Sequence, residues 1–301
     1  MMTELPLDQV RTLLTVVDEG TFDAAAAALH LTPSAISQRV KALEQRTGRV
    51  LLIRSKPVRL TESGQVVARF ARQVARLERD ALGELGMSGA DEPSRLSIAV
   101  NADSLATWFL PALTRVPEHL RVCFELHRED QDHTAALLRE GLVAAAVTSA
   151  PDPVQGCSVR ALGNMRYRAV ASPAFIARHL RDWPDTSLRT LLPTAPVVIF
   201  NDHDDLQDRF ARSLGHRNGV GPLRHYVPSS EGFVDAVSAG MGWGMLPMAQ
   251  AGTHLSAGTL IDLAPETPID VPLYWQQWKL DSPALAATAD AVSSAAREAL
   301  T

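Results

Sequence analysis

The sequence predicts a chain in two parts. The first is an N-terminal all-α winged helix-turn-helix with a long linker helix behind it. The second is a C-terminal α/β body of two lobes around a cleft. Three observations carry this. Residues 22–44, FDAAAAALHLTPSAISQRVKALE, read as two short helices joined by the tight connection His30-Leu31-Thr32. Val67, Phe70, Val74, Leu77 and Ala81 keep an apolar spacing of 3, 4, 3, 4, the mark of a helical seam. From Arg95 onward, strand-like and helix-like segments alternate, which argues for parallel or mixed sheets covered on both faces.

Taken in order, Leu7, Val10, Leu13, Leu14 and Val17 predict a first amphipathic helix ending near Gly20. Thr21 is placed to cap the next helix, with Ala25, Ala26 and Leu29 as its buried side. Thr32 is placed to cap a third, and Pro33 suits its first position, where no amide hydrogen bond is lost. Ile36, Val40 and Leu43 form one apolar stripe on it. The opposite side presents Ser34, Ser37, Gln38 and Lys41, with Arg39 on a flank. Short hydrogen-bonding groups near a helix start, with cations further along, suit a helix lying in a DNA major groove. The bland alternative is a helical hairpin with a solvated face. The flanking charge decides between them: from residue 31 to residue 60 there are seven Lys or Arg and one acid, in a chain of net charge −5. Residues 50–53 and 58–60 are short β-type runs around Arg54-Ser55-Lys56-Pro57. They predict a wing whose Arg54, Lys56 and Arg59 meet phosphates.

Thr61 opens the linker helix. Its seam, Val67, Phe70, Val74 and Leu77, is expected to form a dimer, with Arg69, Arg72, Arg76 and Arg79 lining the outer faces. Packing on the chain's own body is the competing use of such a helix. Gly86-Met87-Ser88-Gly89-Ala90 reads as a flexible linker. The expected divisions are residues 1–60 for the winged helix-turn-helix, 61–94 for linker helix and hinge, and 95–301 for the body. Within the body, lobe I takes about 95–164 and 269–301 and lobe II about 165–268, a periplasmic-binding-protein-like arrangement of two sheets. Strands are expected at 96–100, 122–126, 143–147, 166–171, 197–200, 224–227, 243–246, 260–263 and 271–278, with a closing helix over 283–300.

Ligands in open α/β sheets sit beyond the carboxyl ends of the strands. Four such ends are polar here: Asn101-Ala102-Asp103-Ser104, Thr148-Ser149, Asn201-Asp202 and Ser229-Ser230-Glu231. Hydroxyls and helix N-termini suit a carboxylate, and Asp103, Asp202 and Glu231 suit ammonium groups. The combination points to a small zwitterion such as a cationic amino acid. Any one of these ends could equally be a plain helix cap. Other chemistries find less support. His119, His127, His133 and His203 lack a metal-binding spacing, so no metal is expected. Gly240-Met241-Gly242-Trp243-Gly244 lacks the spacing of a dinucleotide loop, and Ser229 and Ser230 lie in no nucleophile elbow, so neither cofactor nor catalysis is expected. Cys123 and Cys157 have no metal spacing and read as two buried thiols of a reducing cytosol. The polar start MMTELPLDQV is unlike a signal peptide, and no apolar run of roughly 18 residues suggests a membrane span.

The block LTPSAISQRVKALEQRTGRVLLIRSKPVRLTESG resembles the LysR-type transcriptional regulators. Their order of winged helix, linker helix and bilobed body matches along the whole chain. SIAVNADSLATWFLPAL, FNDHDDLQDRF, SSEGFVDAVSAGMGWGMLP, GTLIDLAP and LYWQQW look like the ArgP/LysG subgroup, which controls export of basic amino acids. The resemblance implies a cytoplasmic homodimer or homotetramer on double-stranded promoter DNA, reset by a small effector, lysine or arginine. It implies that Ser34, Gln38 and Lys41 face bases or nearby phosphates. It also implies that Asp103, Ser104, Thr148, Ser149, Asp202 and Ser230 line the cleft. A two-lobed solute receptor without a transcriptional role is the alternative, and the basic head argues against it.

Overall fold

The structure, a computed structural model, describes residues 4–85, 87, 93–128, 131–216 and 219–301. Most of the expected flexible linker lies outside these residues. Helices α1 (Leu7–Asp18), α2 (Phe22–Ala28) and α3 (Pro33–Thr47) form the N-terminal bundle. Thr21 and Thr32 cap α2 and α3 by accepting from the amides of Ala24 and Ala35. Val10, Leu13 and Val16 of α1 meet Ala25, Ala26, Ile36, Val40 and Leu43 in a closed core. Each buried Val, Leu or Ile there contributes about 1.5–3 kcal/mol. Strands β1 (Leu52–Ile53) and β2 (Arg59–Leu60) pair antiparallel as the wing. Glu44, the one acid of the basic stretch, accepts from the amide of Leu51 at 2.8 Å and ties α3 to the wing.

Helix α4 (Glu62–Glu84) follows, capped by Thr61. Its first turns close the bundle core through Val67 and Ala71. Gly64 is needed there, because a Cβ would lie 2.0 Å from the carbonyl oxygen of Leu51. The body then runs β3 (Ser94–Val100), α5 (Ala102–Ser104), a π-helical turn, α6 (Leu110–Leu113), β4 (Val122–Arg128), α7 (Gln131–Glu140), β5 (Ala145–Thr148) and β6 (Cys157–Ala171). Next come α8 (Pro173–His179), α9 (Leu188–Leu191), β7 (Val197–Ile199), α10 (Leu206–Ser213), β8 (Arg224–Tyr226) and α11 (Ser230–Ser238). It closes with β9 (Gly244–Pro247), α12 (Met248–Ser256), β10 (Ile261–Asp262), β11 (Ile269–Trp278) and α13 (Pro283–Ala299).

Two separate sheets with one per lobe were expected, whereas seven of the nine described strands of the body form one continuous sheet in the order β10-β6-β11-β5-β3-β4, with β9 also on β6, and β7 and β8 pair parallel as a separate two-stranded sheet. The 15-residue β6 and the 10-residue β11 run antiparallel through both lobes. Their ladder breaks register between Leu273 and Tyr274, opposite Gly163 at φ +133°. A bulge of this kind bends the strands, so the two lobes turn about a shared ribbon. The strand expected at 166–171 thus begins at Cys157. Its first half, CSVRALGNM, lacks clean alternation, which hid it. Helix α12 was also not foreseen, and Cys123 is exposed, against the expectation of two buried thiols. Among the described residues, no helix is long and apolar enough to cross a membrane.

Candidate DNA-reading face and effector cavity

On α3 the stripe Ile36, Val40 and Leu43 is fully enclosed, which turns Ser34, Gln38 and Lys41 to solvent. Ser37 is half-buried beside them, and Thr32 is exposed while its hydroxyl caps the helix. Arg39 departs from the expected flank position. It reaches back to α1, donating to Thr12 Oγ1 at 3.4 Å, with Asp8 at 4.0 Å. On the wing, Arg54, Lys56 and Arg59 are all exposed, and the Arg54 guanidinium lies 5.4 Å from the ring centre of Phe22. Wing and α3 therefore both expose cations, and α3 adds small hydrogen-bonding groups.

The seam on α4 differs from expectation at its first member. Val67 is 6% exposed and belongs to the bundle core. The unpartnered apolar stripe is Val66, Phe70, Val74 and Leu77, with Val66 54% and Leu77 42% exposed. The arginines also differ. Arg69 stacks on Trp278 of β11 at 5.6 Å, and Arg72 donates to the carbonyl of Glu140 at 2.7 Å and to Asp18 at 3.0 Å. Arg76 is buried, which lowers its pKa by desolvation. Of the four, Arg79 alone lies on an outer face. One side of α4 thus holds lobe I, and another is apolar and open.

Between the lobes is a cavity of about 360 Å³, within the usual range for small-ligand sites. Asn101 and Asp103 reach it from lobe I, Tyr167 from the shared strand β6, and Asp204, Arg209, Ser230 and Gln250 from lobe II. Asp103 is the acid that lobe I contributes to its wall. Tyr167 Oη donates to Asp103 Oδ2 at 2.7 Å, and Ser230 Oγ lies 2.6 Å from Asp103 Oδ1. Burial raises the Asp103 pKa above the ordinary carboxylate range, against the pull of these two hydroxyls. Burial, and after it the same carboxyl, push the Tyr167 phenol well up.

Asp204 is the second acid. Asn201 Oδ1 accepts from the amides of His203 and Asp204, turning the chain after β7. The Asp204 carboxylate then accepts from the amides of Phe200 and Leu206, both at 3.0 Å. Burial raises its pKa, with those amides opposing.

Of the expected cleft residues, Asn101, Asp103 and Ser230 line this cavity. Asp202 does not: its side chain is 81% exposed, 3.8 Å from His203, because β7 stops at Ile199 and the turn carries Asp204 inward instead. Thr148 and Ser149 lie off the cavity wall. Thr148 Oγ1 accepts from the amide of Ala150 and secures the turn after β5. Ser104 sits just behind the wall, fully buried, its hydroxyl without a hydrogen-bond partner. Tyr167, Asp204, Arg209 and Gln250 were not foreseen. Asp204, two residues before a helix start, carried a usable signal; Tyr167 and Gln250 lie inside a strand and a helix and carried none.

Comparison with known proteins agrees with this layout. The model of the "bacterial regulatory helix-turn-helix protein, lysR family" matches residues 7–65, and that of the "LysR substrate binding domain" matches residues 89–297. The chain is 44% identical over 298 residues to the lysine export transcriptional regulatory protein LysG of Corynebacterium glutamicum, covering 97% of this chain and 98% of that one. ArgP from Mycobacterium tuberculosis superposes with a TM-score of 0.89 at 45% identity, covering 97% of each chain. Full-length LysG from Corynebacterium glutamicum with bound effector Arg gives 0.83 at 42% identity, covering 98% of this chain and 99% of that one.

Proposed function

The chain belongs to the LysR family of bacterial transcriptional regulators, and on that premise we propose that it is a homodimer whose effector is a basic amino acid, arginine or lysine, and whose target is a gene for basic amino acid export. The single observation that carries the effector reading is the pair of buried acids, Asp103 and Asp204, in one cavity. A basic amino acid has two cationic ends and one carboxylate. The two acids suit the cations, and Arg209 suits the carboxylate. A buried charge without a partner costs several kcal/mol, so a neutral amino acid, which leaves one of the acids without a cation, is poorly served. The relative crystallised with arginine as effector, and the relative named for lysine export, support the same reading.

On DNA, Ser34, Gln38 and Lys41 read base edges or nearby phosphates, while Arg54, Lys56 and Arg59 hold the backbone. The stripe Val66, Phe70, Val74 and Leu77 pairs two copies, which sets the spacing of two half-sites. A ligand can act on DNA binding only by preferring one of two arrangements. The cavity draws on both lobes, the lobes share β6 and β11, and lobe I holds α4 through Trp278 and Glu140. Lobe rotation therefore reaches the helix that carries the DNA-binding heads. A gel shift of promoter DNA tests this. Arginine or lysine should change the affinity or mobility of the complex, and leucine should not. DNA binding that ignores every basic amino acid would overturn the effector class.

A further inference from the structure

A second cavity, of about 290 Å³, lies away from the cleft, where the linker helix meets lobe I. Arg69 and Gln73 line it from α4, and Gln155, Gly156, Trp278 and Lys279 line it from lobe I. Arg69 and Gln73 are four positions apart, so they share one face of the helix. Lys279 follows the last residue of β11, and its amide donates to the carbonyl of Gly156 at 3.2 Å. Gly156 sits at φ +87°, and a Cβ there would come within 2.8 Å of the Trp278 ring, so only glycine lets the backbone close on the indole.

The wall is cationic. Among the described residues neither Arg69 nor Lys279 joins an ion pair, and no acid lines the cavity. The Arg69 guanidinium lies 5.6 Å from the Trp278 ring centre. A guanidinium laid on an aromatic face keeps its in-plane N–H groups at its sides, so the stack fixes the fork and leaves its donors open. Arg69 and Lys279 both act on the buried Cys157 thiol and oppose the rise that burial causes, so the two charges lie near one another. The carboxamides of Gln73 and Gln155 have no hydrogen-bond partner among the described residues and add neutral donors. The Trp278 indole N–H is already given to the carbonyl of Val143, so that ring serves as a platform only.

We propose that this cavity is an anion site for a small phosphate dianion, free or as a monoester, which bridges Arg69 of the linker helix to Lys279 of lobe I. A phosphate dianion matches the two cations in charge. Its oxygens accept from the Arg69 fork at two points, while Lys279 meets it as a point charge. A monocarboxylate would leave one cation unmatched. Each side of the joint supplies part of the wall, so the bound anion favours the arrangement in which α4 lies on lobe I. The site uses none of the cleft residues and does not depend on the effector.

Calorimetric titration of the full chain with inorganic phosphate and with glycerol 3-phosphate, at fixed ionic strength, tests this. One saturable site per chain should appear, and the tighter of the two ligands names the source of the phosphate. Affinity should fall by about tenfold or more in Lys279→Gln and in Arg69→Gln. It should be kept in Arg54→Ala, which removes a cation from the wing. Lys279 is exposed, so Lys279→Gln should fold as the wild type does. Absence of saturable binding by either ligand, or binding unchanged in Lys279→Gln, would overturn the site. Binding lost in Arg54→Ala and kept in Lys279→Gln would put the anion on the wing and overturn it too. A loss confined to Lys279→Gln, with Arg69→Gln as tight as wild type, would overturn the bridge.

Discussion

At the scale of single residues, Asp103 ties stability to function. Its pKa is raised in the folded state, so the folded protein holds that proton more tightly than the unfolded chain. Stability is then unaffected below the unfolded carboxylate pKa of about 3.9, falls as pH rises through it, and levels off above the folded value. Asparagine keeps the neutral form of the side chain. Asp103→Asn should therefore melt higher than wild type at pH 7.5, and the gap should close at acid pH; a lower melting point at pH 7.5 would contradict the burial account. The same variant should bind arginine far more weakly. Cys157 gives a second check. Burial pushes its thiol up to about 12, while Cys123 is exposed. Alkylation of the native protein should label Cys123 and spare Cys157 until unfolding. On α3, Gln38→Ala should alter base preference at about 1–3 kcal/mol, while Arg54→Ala should weaken specific and random DNA alike. Which residues of α3 stay exposed was legible because Ile36, Val40 and Leu43 fix the helix rotation. Which acid faces the cavity was not. Asp202, Asp204 and Asp205 lie within four positions, and the turn built by Asn201 leaves Asp202 outside while Asp204 and Asp205 reach the cavity wall.

At the scale of elements, the caps and stripes of α1 to α3 were readable because Thr21, Thr32 and the apolar spacing are local chemistry. The linker helix was readable in length but misread in rotation. An apolar stripe can be drawn through Val67, with a spacing of 3, 4, 3, 4, or through Val66, with 4, 4, 3, 4, and only the bundle core, by taking Val67 and Ala71, decides which face stays open. The open face predicts where a charge does most harm. Leu77→Glu would put an unpaired carboxylate into the proposed helix pair and should split the proposed dimer in sedimentation, with the bundle intact because Leu77 lies outside its core. Val67→Glu should instead unfold the N-terminal bundle. A Leu77→Glu dimer as tight as wild type would place the interface on another face. Strand β6 was half missed for a related reason. Its ends pair with different partners, β11 in one lobe and β9 and β10 in the other, so no single periodicity runs along it.

At the scale of the whole molecule, charge and architecture divide the work. Residues 1–64 carry eight Lys or Arg against seven acids, and residues 95–301 carry 17 against 22. A basic surface on an acidic chain should give DNA binding that weakens with salt by a log-log slope of about −0.9 per neutralised phosphate. The two-part order was legible from sequence, because the change from helical spacing to alternating strands and helices is a change of grammar. The shared ribbon of β6 and β11, which makes the lobes one hinge, depends on pairing between residues more than 100 positions apart and had no local sign. That hinge is what would let a small ligand move two distant DNA-binding heads. The most direct test of the central claim, that paired acids in the cleft select a basic effector, is calorimetric titration of the full chain with L-arginine and with L-citrulline, which has nearly the same shape and an uncharged side chain. Arginine should bind at least about a hundredfold more tightly, since an unmatched buried charge is worth several kcal/mol; equal affinity for the two would contradict the claim.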